Sequence, residues 1–155
     1  MSNSVNQNPD PVPFESYPYR GRRLLGRVSG YNCRHGYGLA FMRLTKQTKC
    51  AYCGLDLAAI YENWLTIALD HVVPHSTCLD WELPEEWGED YRNRVLCCTT
   101  CNTFGNRFVP KDFSHPSTIE EFYNLRDAIF IERRRNILNR HEEERAFFVK
   151  KPWES

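Results

Sequence analysis

Two Cys-x-x-Cys motifs constrain this chain more than any other feature of its sequence. Cys50 and Cys53 form the first motif, in KCAYCG, and Cys98 and Cys101 form the second, in CCTTCN. Two such pairs supply the four thiolates that a tetrahedral structural zinc site needs. We therefore predict one structural Zn²⁺ per chain, held by these four cysteines.

The other three cysteines, Cys33, Cys78 and Cys97, lie outside the two motifs. We assign them to packing, with Cys97 as the one alternative to Cys98 as a zinc ligand. Disulfides are not expected, because a reducing compartment keeps thiols free.

Length and composition bound the class of protein. The chain has 155 residues, of which 41% are hydrophobic, and domains run to about 100–200 residues, so we expect one domain with a real core. No window approaches the roughly 20 apolar residues of a membrane span, and the first residues lack the pattern of a secretory leader. We expect a cytoplasmic protein that makes no membrane contact.

The segment between the two motifs decides the functional interpretation. Forty-four residues separate Cys53 from Cys98, more than the roughly 15–20 of a simple zinc ribbon, so zinc joins the ends of a larger element. The apolar run 64–69 predicts a strand that leads into Asp70 and His71 and stops at Pro74. Residues 93–97 predict a second strand, and a helix is expected to start at Asn102. The predicted order is strand, loop, strand, cysteine motif, helix.

Residues 49–108 resemble the HNH endonucleases, whose ββα-metal element is often braced by a zinc site of this kind. The resemblance rests on the two cysteine motifs, on Leu69-Asp70-His71-Val-Val-Pro74 and on Asn93-Arg-Val-Leu. It implies an α+β fold with a treble-clef-like ββα core. It also implies that His71 is the general base, that Asn93 braces the loop holding it, and that Asn102, nine residues after Asn93, is a metal ligand. Asn102 stands where the family usually has its last histidine, so the chain is an H-N-N variant.

Elementary chemistry agrees with these roles. An imidazole such as that of His71 titrates near neutral pH and can accept a proton from an attacking water. The oxygen atoms of Asp70 and Asn102 suit Mg²⁺ or Mn²⁺ better than zinc, so the catalytic ion is expected to differ from the structural one. The expected reaction is hydrolysis of DNA phosphodiester bonds, which in this family leaves a 5′-phosphate and a 3′-hydroxyl.

Each of these residues also has a structural explanation. Asp70, before a histidine and a proline, suits a turn, and Asn102 could cap the following helix, since asparagine is a good N-cap residue. His75 is either a second ligand or phosphate contact, or a surface histidine. The alternative function is a catalytically inactive, zinc-braced nucleic-acid-binding or interaction module.

The charge distribution favours a polyanionic partner. Residues 1–49 carry eight Lys/Arg against two Asp/Glu, although the whole chain has no formal net charge. Arginines and aromatic side chains alternate between Tyr17 and Arg23, so Arg20, Arg22 and Arg23 are predicted to contact double-stranded DNA. Arg107 resembles a phosphate-contacting position of the family, and a solvated arginine is its alternative.

The remaining segments are predicted as follows. Residues 1–16 are expected to be a disordered lead, and residues 17–155 a single nuclease domain with its motif core at 49–108. The segment 38–48 predicts a short helix, and the acidic segment 78–90 a solvated loop anchored by Trp81 and Trp87.

A long C-terminal helix is expected at about 117–148. It should begin with a capping box of Ser117 and Glu120. An apolar stripe that includes Ile129 and Phe130 should pack on the core, and the charged run 132–135 should face solvent. The same stripe, with the ending 146–149, could alternatively serve a homodimer.

Overall fold

A β-hairpin followed by a helix forms the centre of the fold. The computed structural model describes residues 12–18 and 33–154. Strand β1 (Ile67–His71) pairs antiparallel with β2 (Arg94–Cys98), with Ile67 opposite Cys98 and His71 opposite Arg94. Helix α5 (Thr99–Gly105) follows β2 directly and packs on both strands. The predicted α+β class and the strand, strand, helix order are confirmed.

The other helices surround this unit. The segment that joins the strands contains two short helices rather than an open loop. Within the described residues the remaining helices are α1 (Tyr37–Thr45), α2 (Tyr61–Trp64), α3 (His75–Asp80), α4 (Glu85–Gly88) and α6 (Ile119–Phe148). Short 3₁₀ turns occur at Pro13–Ser16, Cys33–His35, Tyr91–Asn93 and Pro152–Glu154.

The start of α5 corrects a prediction. Cys98 is its N-cap residue and accepts a hydrogen bond from the backbone N–H of Cys101, so the helix begins three residues before Asn102. Asn102 therefore lies inside the helix and does not cap it.

The start of α6 also differs from the prediction, by one residue. Thr118 is the N-cap, and its hydroxyl accepts the N–H of Glu121 at 3.1 Å. The Glu121 carboxylate in turn accepts the N–H of Ser117 at 2.6 Å. The cap therefore uses the next serine-or-threonine and glutamate pair in the sequence, and its glutamate accepts the N–H of the residue before the N-cap instead of that of the N-cap itself.

Helix α6 covers the ββα unit with its buried stripe. The Phe130 ring stacks on Tyr52 at 5.4 Å between ring centroids, and Ile137 is the last buried residue of the helix. Within the run predicted to face solvent, Arg133 is buried, so that prediction is wrong at this position. The cause is periodicity, because Arg133 lies four residues from both Ile129 and Ile137 on the same face.

The first described segment packs against the same core. Phe14 is buried and makes an edge contact with Phe130, with 5.5 Å between ring centroids. The Tyr17 hydroxyl donates to the backbone oxygen of Arg94. Part of the segment 1–16, predicted to be a disordered lead, therefore packs on the core through Phe14, and residues 1–11 lie outside the described residues.

No helix in the described part of the chain is both long enough and apolar enough to cross a membrane.

Candidate metal centre and active site

The four motif cysteines meet at the base of the hairpin. Cys50 and Cys53 lie in a tight turn that Gly54 closes at φ +79°, a backbone conformation that glycine adopts without strain. The N–H of Ala51 donates to Leu96 and attaches this turn to β2. Cys98 ends β2, and Cys101 lies in the first turn of α5.

The geometry of the four sulfur atoms fits zinc. They lie within 4.8 Å of one another, and Cys53 Sγ is 3.9 Å from Cys98 Sγ. Tetrahedral Zn–S bonds of about 2.3 Å place sulfur atoms roughly 3.8 Å apart. Hydrogen bonds from Cys101, Cys53 and Cys98 hold the pKa of Cys50 far below its usual range, whereas hydrogen bonds with Cys50, Cys53 and Cys98 hold the pKa of Cys101 far above it, so the metal-free cluster ionises only in part. The four cysteines are a candidate structural zinc site.

Cys97 does not belong to this cluster. It is fully buried, and burial raises the pKa of its thiol well above the ordinary value. Successive residues of a strand point to opposite faces, so Cys98 reaches the cluster and Cys97 does not. Cys33 and Cys78 are also buried outside it.

His141 contacts the cysteine cluster from α6. Its Nε2 lies 3.0 Å from Cys101 Sγ, and its ring packs edge-on against Phe104. This contact fastens the distal part of α6 to the cluster. Sequence reasoning missed His141 because it follows Cys101 by forty residues with no motif spacing.

His71 lies at the end of β1 in a charged environment. Its Nε2 is 3.1 Å from Glu89 Oε1, and Arg94 pairs with the other oxygen of that carboxylate at 2.8 Å. The register explains this grouping, since Arg94 is the partner of His71 across the hairpin. Glu89 comes from the acidic segment, which was predicted to be a solvated loop, and the sequence offered no spacing signal for it.

The electrostatics favour a neutral imidazole. Burial is the largest influence on His71, with the positive charge of Arg94 second, and together they lower its pKa to about 4 despite the opposing effect of Glu89. An Nε2–H that donates to Glu89 leaves the lone pair on Nδ1. Among the described residues Nδ1 has no hydrogen-bond partner, so near neutral pH this nitrogen keeps a free lone pair.

Asn93 is fully buried and holds the backbone that follows β1. Its side-chain oxygen accepts the N–H of Val73, and its amide donates to the carbonyls of Val73 and Gly88. These bonds join the residues after His71 to the end of α4. Asn93 thus contacts the loop backbone, whereas Glu89 contacts the imidazole ring.

Asp70 is held through one of its two oxygen atoms. Oδ2 accepts the Tyr52 hydroxyl at 2.6 Å and pairs with Arg133 at 2.9 Å. No partner of Oδ1 is recorded in the described part of the chain. Burial raises the pKa of this carboxyl, while Arg133 and Tyr52 oppose that shift. Asp70 is therefore a bound carboxylate and not a simple turn residue.

Arg133 joins the end of β1 to α5. Its guanidinium donates to the backbone oxygens of His71, Val72 and Gly105 and also pairs with Asp70. Since one nitrogen, Nη2, reaches both Asp70 and Gly105, the carboxylate lies beside the C-terminal turn of α5.

Asn102 is half-buried in α5, three residues before Gly105. This spacing places both residues on the same face of the helix. Among the described residues the side-chain amide of Asn102 has no hydrogen-bond partner, so it does not contribute a hydrogen bond to the fold.

Arg107 is exposed just beyond α5. It lines a cavity of about 460 Å³ between that helix end and α6, together with Lys111, Glu132, Arg133, Asn136 and apolar side chains. Arg20, Arg22 and Arg23 lie outside the described residues.

His75, left open by the sequence, is the first residue of α3. Its Nδ1 lies 2.9 Å from Glu89 Oε1, so one carboxylate oxygen faces two imidazoles. His75 is therefore not an isolated surface histidine.

Comparisons of the chain with protein-family models, with curated proteins and with solved structures each found no significant match. The resemblance to the HNH endonucleases accordingly rests on the motif residues and their arrangement.

Proposed function

We propose that this chain is a metal-dependent HNH endonuclease that hydrolyses DNA phosphodiester bonds. The observation that carries the proposal is the pair Asp70 and His71 at the end of β1 in a ββα unit. Each side chain is fixed through one atom, Oδ2 or Nε2, and each keeps a second atom, Oδ1 or Nδ1, with no partner among residues 12–18 and 33–154.

His71 is the general base in this proposal. Its Nδ1 accepts a proton from water, the resulting hydroxide attacks phosphorus, and the P–O3′ bond breaks, so that the products are a 5′-phosphate and a 3′-oxygen that takes up a proton from solvent. Glu89 keeps the proton on Nε2, which sets the tautomer that the reaction needs. Asn93 positions the base indirectly, through its bonds to the backbone of Val73.

Asp70 and Asn102 are proposed to hold the catalytic ion through oxygen atoms, Oδ1 of Asp70 among them. A carboxylate and an amide oxygen fit Mg²⁺ or Mn²⁺. Such an ion, when bound, offsets the charge that develops on the leaving oxygen. Arg133 and Tyr52 hold the Asp70 carboxylate in one orientation before an ion binds, and such preorganisation favours catalysis.

Basic side chains near this site support a nucleic-acid substrate. Arg107 and Lys111 line the same cavity beyond α5. We propose that Arg107 contacts a DNA phosphate and that Arg20, Arg22 and Arg23 contribute further phosphate contacts. Several carboxylates of the acidic segment, those of Asp80, Glu82 and Glu85, are exposed and would have to face away from DNA.

A second candidate function is an inactive, zinc-braced nucleic-acid-binding module. The Arg133–Asp70 ion pair favours it, because the guanidinium already supplies positive charge beside the carboxylate that the nuclease needs as a ligand.

Cleavage of supercoiled plasmid under controlled metal conditions separates the two candidates. Zinc-loaded wild type is incubated with Mg²⁺, with Mn²⁺, or with neither, and Asn102→Ala serves as the ion-site variant. The nuclease proposal requires nicking that depends on the added ion, that Asn102→Ala weakens, and that proceeds with about one zinc still bound per chain. Zinc-loaded wild type that shifts DNA in a gel but cuts it with neither ion would instead support the inactive module.

A further inference from the structure

His71, His75 and Glu89 form a second cluster of metal-ligating side chains, separate from the four cysteines. One nitrogen of each imidazole and one carboxylate oxygen lie within 4.8 Å of one another. Glu89 Oε1 is 3.1 Å from His71 Nε2 and 2.9 Å from His75 Nδ1. The three side chains come from β1, from α3 and from the segment after α4.

These separations match ligands of a single ion. Metal–nitrogen and metal–oxygen bonds of about 2.0–2.2 Å at angles of roughly 90–110° place the ligand atoms about 2.8–3.6 Å apart. Both recorded nitrogen–oxygen distances fall in that interval. The two imidazole nitrogens also lie within 4.8 Å of each other, so side-chain movement that brings them closer would let all three atoms reach one ion.

The ligand chemistry selects a transition metal. Two imidazoles and one carboxylate suit Zn²⁺ and its neighbours in the first transition row, whereas Mg²⁺ prefers oxygen. Arg94 holds the other oxygen of Glu89 and so keeps Oε1 directed at both rings. The His75 side chain is 54% exposed, which leaves the site open to solvent.

We propose that His71, His75 and Glu89 form a site for a divalent transition metal ion such as Zn²⁺, and that occupation of this site inhibits the nuclease. The binding part of this inference stands on the geometry alone. The inhibitory part rests on the proposed function, in which His71 is the general base.

Tautomerism links binding to inhibition. In the metal-free protein Nε2–H donates to Glu89 and Nδ1 keeps the lone pair. A metal ion bound to Nε2 takes the lone pair there, so the one proton of the neutral ring moves through solvent to Nδ1. The ring then has no lone pair with which to accept a proton from water.

Equilibrium dialysis of the zinc-loaded protein against buffered free Zn²⁺ tests the binding. The wild type should take up a second Zn²⁺ per chain. His75→Ala, at an exposed position, should weaken that uptake at least tenfold, since even the partners of metal ligands contribute about 10–100-fold in affinity. Asn102→Ala, the matched control at the proposed oxygen site, should still bind two. A wild type that binds only one, or an uptake lost in Asn102→Ala and kept in His75→Ala, would overturn the site.

Inhibition is measured as plasmid nicking in saturating Mg²⁺ while free Zn²⁺ is raised. The wild type should lose activity as the second ion binds, and His75→Ala should need at least tenfold more Zn²⁺ for the same loss. Equal sensitivity of the two proteins would overturn the inhibitory role. Dialysis measures zinc uptake and does not depend on activity. It therefore tests the metal site even if the chain proves not to be a nuclease.

Discussion

The guanidinium of Arg133 lies 2.9 Å from Oδ2 of Asp70, and both side chains are nearly excluded from solvent. This ion pair connects the end of β1 to the middle of α6, sixty-three residues further along the chain. Through its bonds to the carbonyls of His71, Val72 and Gly105, the same arginine fixes the backbone on which the proposed catalytic residues stand.

Replacing Arg133 should therefore destabilise the fold. Arg133→Met leaves Asp70 buried without its cationic partner and removes the guanidinium hydrogen bonds to the carbonyls of His71, Val72 and Gly105, of which Gly105 keeps the N–H of Phe108. Breaking a buried ion pair from one side costs about 3–5 kcal/mol. Urea denaturation measures the change, with the exposed Arg135→Met as the matched control, expected to stay within about 0.5 kcal/mol of wild type. A loss in Arg133→Met no larger than in the control would contradict this role.

The two neighbouring cysteines of β2 provide a sharp test of the zinc site. Cys98→Ala removes a ligand, so bound zinc should fall from about one per chain towards none and the melting temperature should drop strongly. Cys97→Ala changes the same type of residue one position earlier and should keep its zinc. Zinc content by elemental analysis, together with thermal unfolding, checks both variants; loss of zinc in Cys97→Ala with retention in Cys98→Ala would reverse the ligand assignment.

Local sequence patterns predicted the elements that local interactions determine. The cysteine spacing located the four-cysteine cluster, and the short β-prone runs around Asp70 and Asn93 located the hairpin to within a few residues. The stripe of apolar side chains at helical spacing located α6. In each case the sequence signal lies within a few residues or repeats at a fixed period, although the contacts that result can be long-range.

Partners that depend on tertiary packing were missed. Glu89 reaches His71 because α3 and α4 fold the acidic segment back over the hairpin, and no spacing in the sequence encodes that return. His141 meets Cys101 only because α6 is long and straight enough to pass the cluster. Arg133 did carry a signal, since it lies on the apolar stripe with Ile129 and Ile137. Because it is charged, it was nevertheless predicted to face solvent.

The pKa of His71 should be low, and its neighbours should move it in opposite directions. With zinc confined to the cysteine site, NMR titration of the His71 ring should give a pKa well below 6.5, at about 4. Arg94→Met removes a positive charge that lowers the pKa and should raise it. Glu89→Gln removes a negative charge that raises the pKa and should lower it further. Shifts of the opposite sign in the two variants would contradict the described contacts.

The basic residues before the first cysteine motif should control the salt dependence of DNA binding. Each phosphate contact contributes about 0.9 to the slope of log K against log salt for duplex DNA. Replacing Arg20, Arg22 and Arg23 together by alanine should reduce the magnitude of that slope by about 2 to 3. Fluorescence anisotropy over a salt series measures it, with a variant carrying Lys150→Ala and Lys151→Ala, beyond α6, as the control. An unchanged slope in the arginine variant would remove these residues from the interface.

The initial rate of plasmid nicking by His71→Ala tests whether the chain is a nuclease with His71 as its general base. Zinc-loaded wild type, His71→Ala and His115→Ala are compared in Mg²⁺ at neutral pH; His115 is exposed, stacks on Trp81 and does not contact the proposed site. Loss of a positioned general base typically costs about 10²–10⁴ in rate. Wild type and His115→Ala should nick the plasmid at similar rates, and the rate of His71→Ala should be at least about a hundredfold lower. Equal rates for wild type and His71→Ala would contradict it.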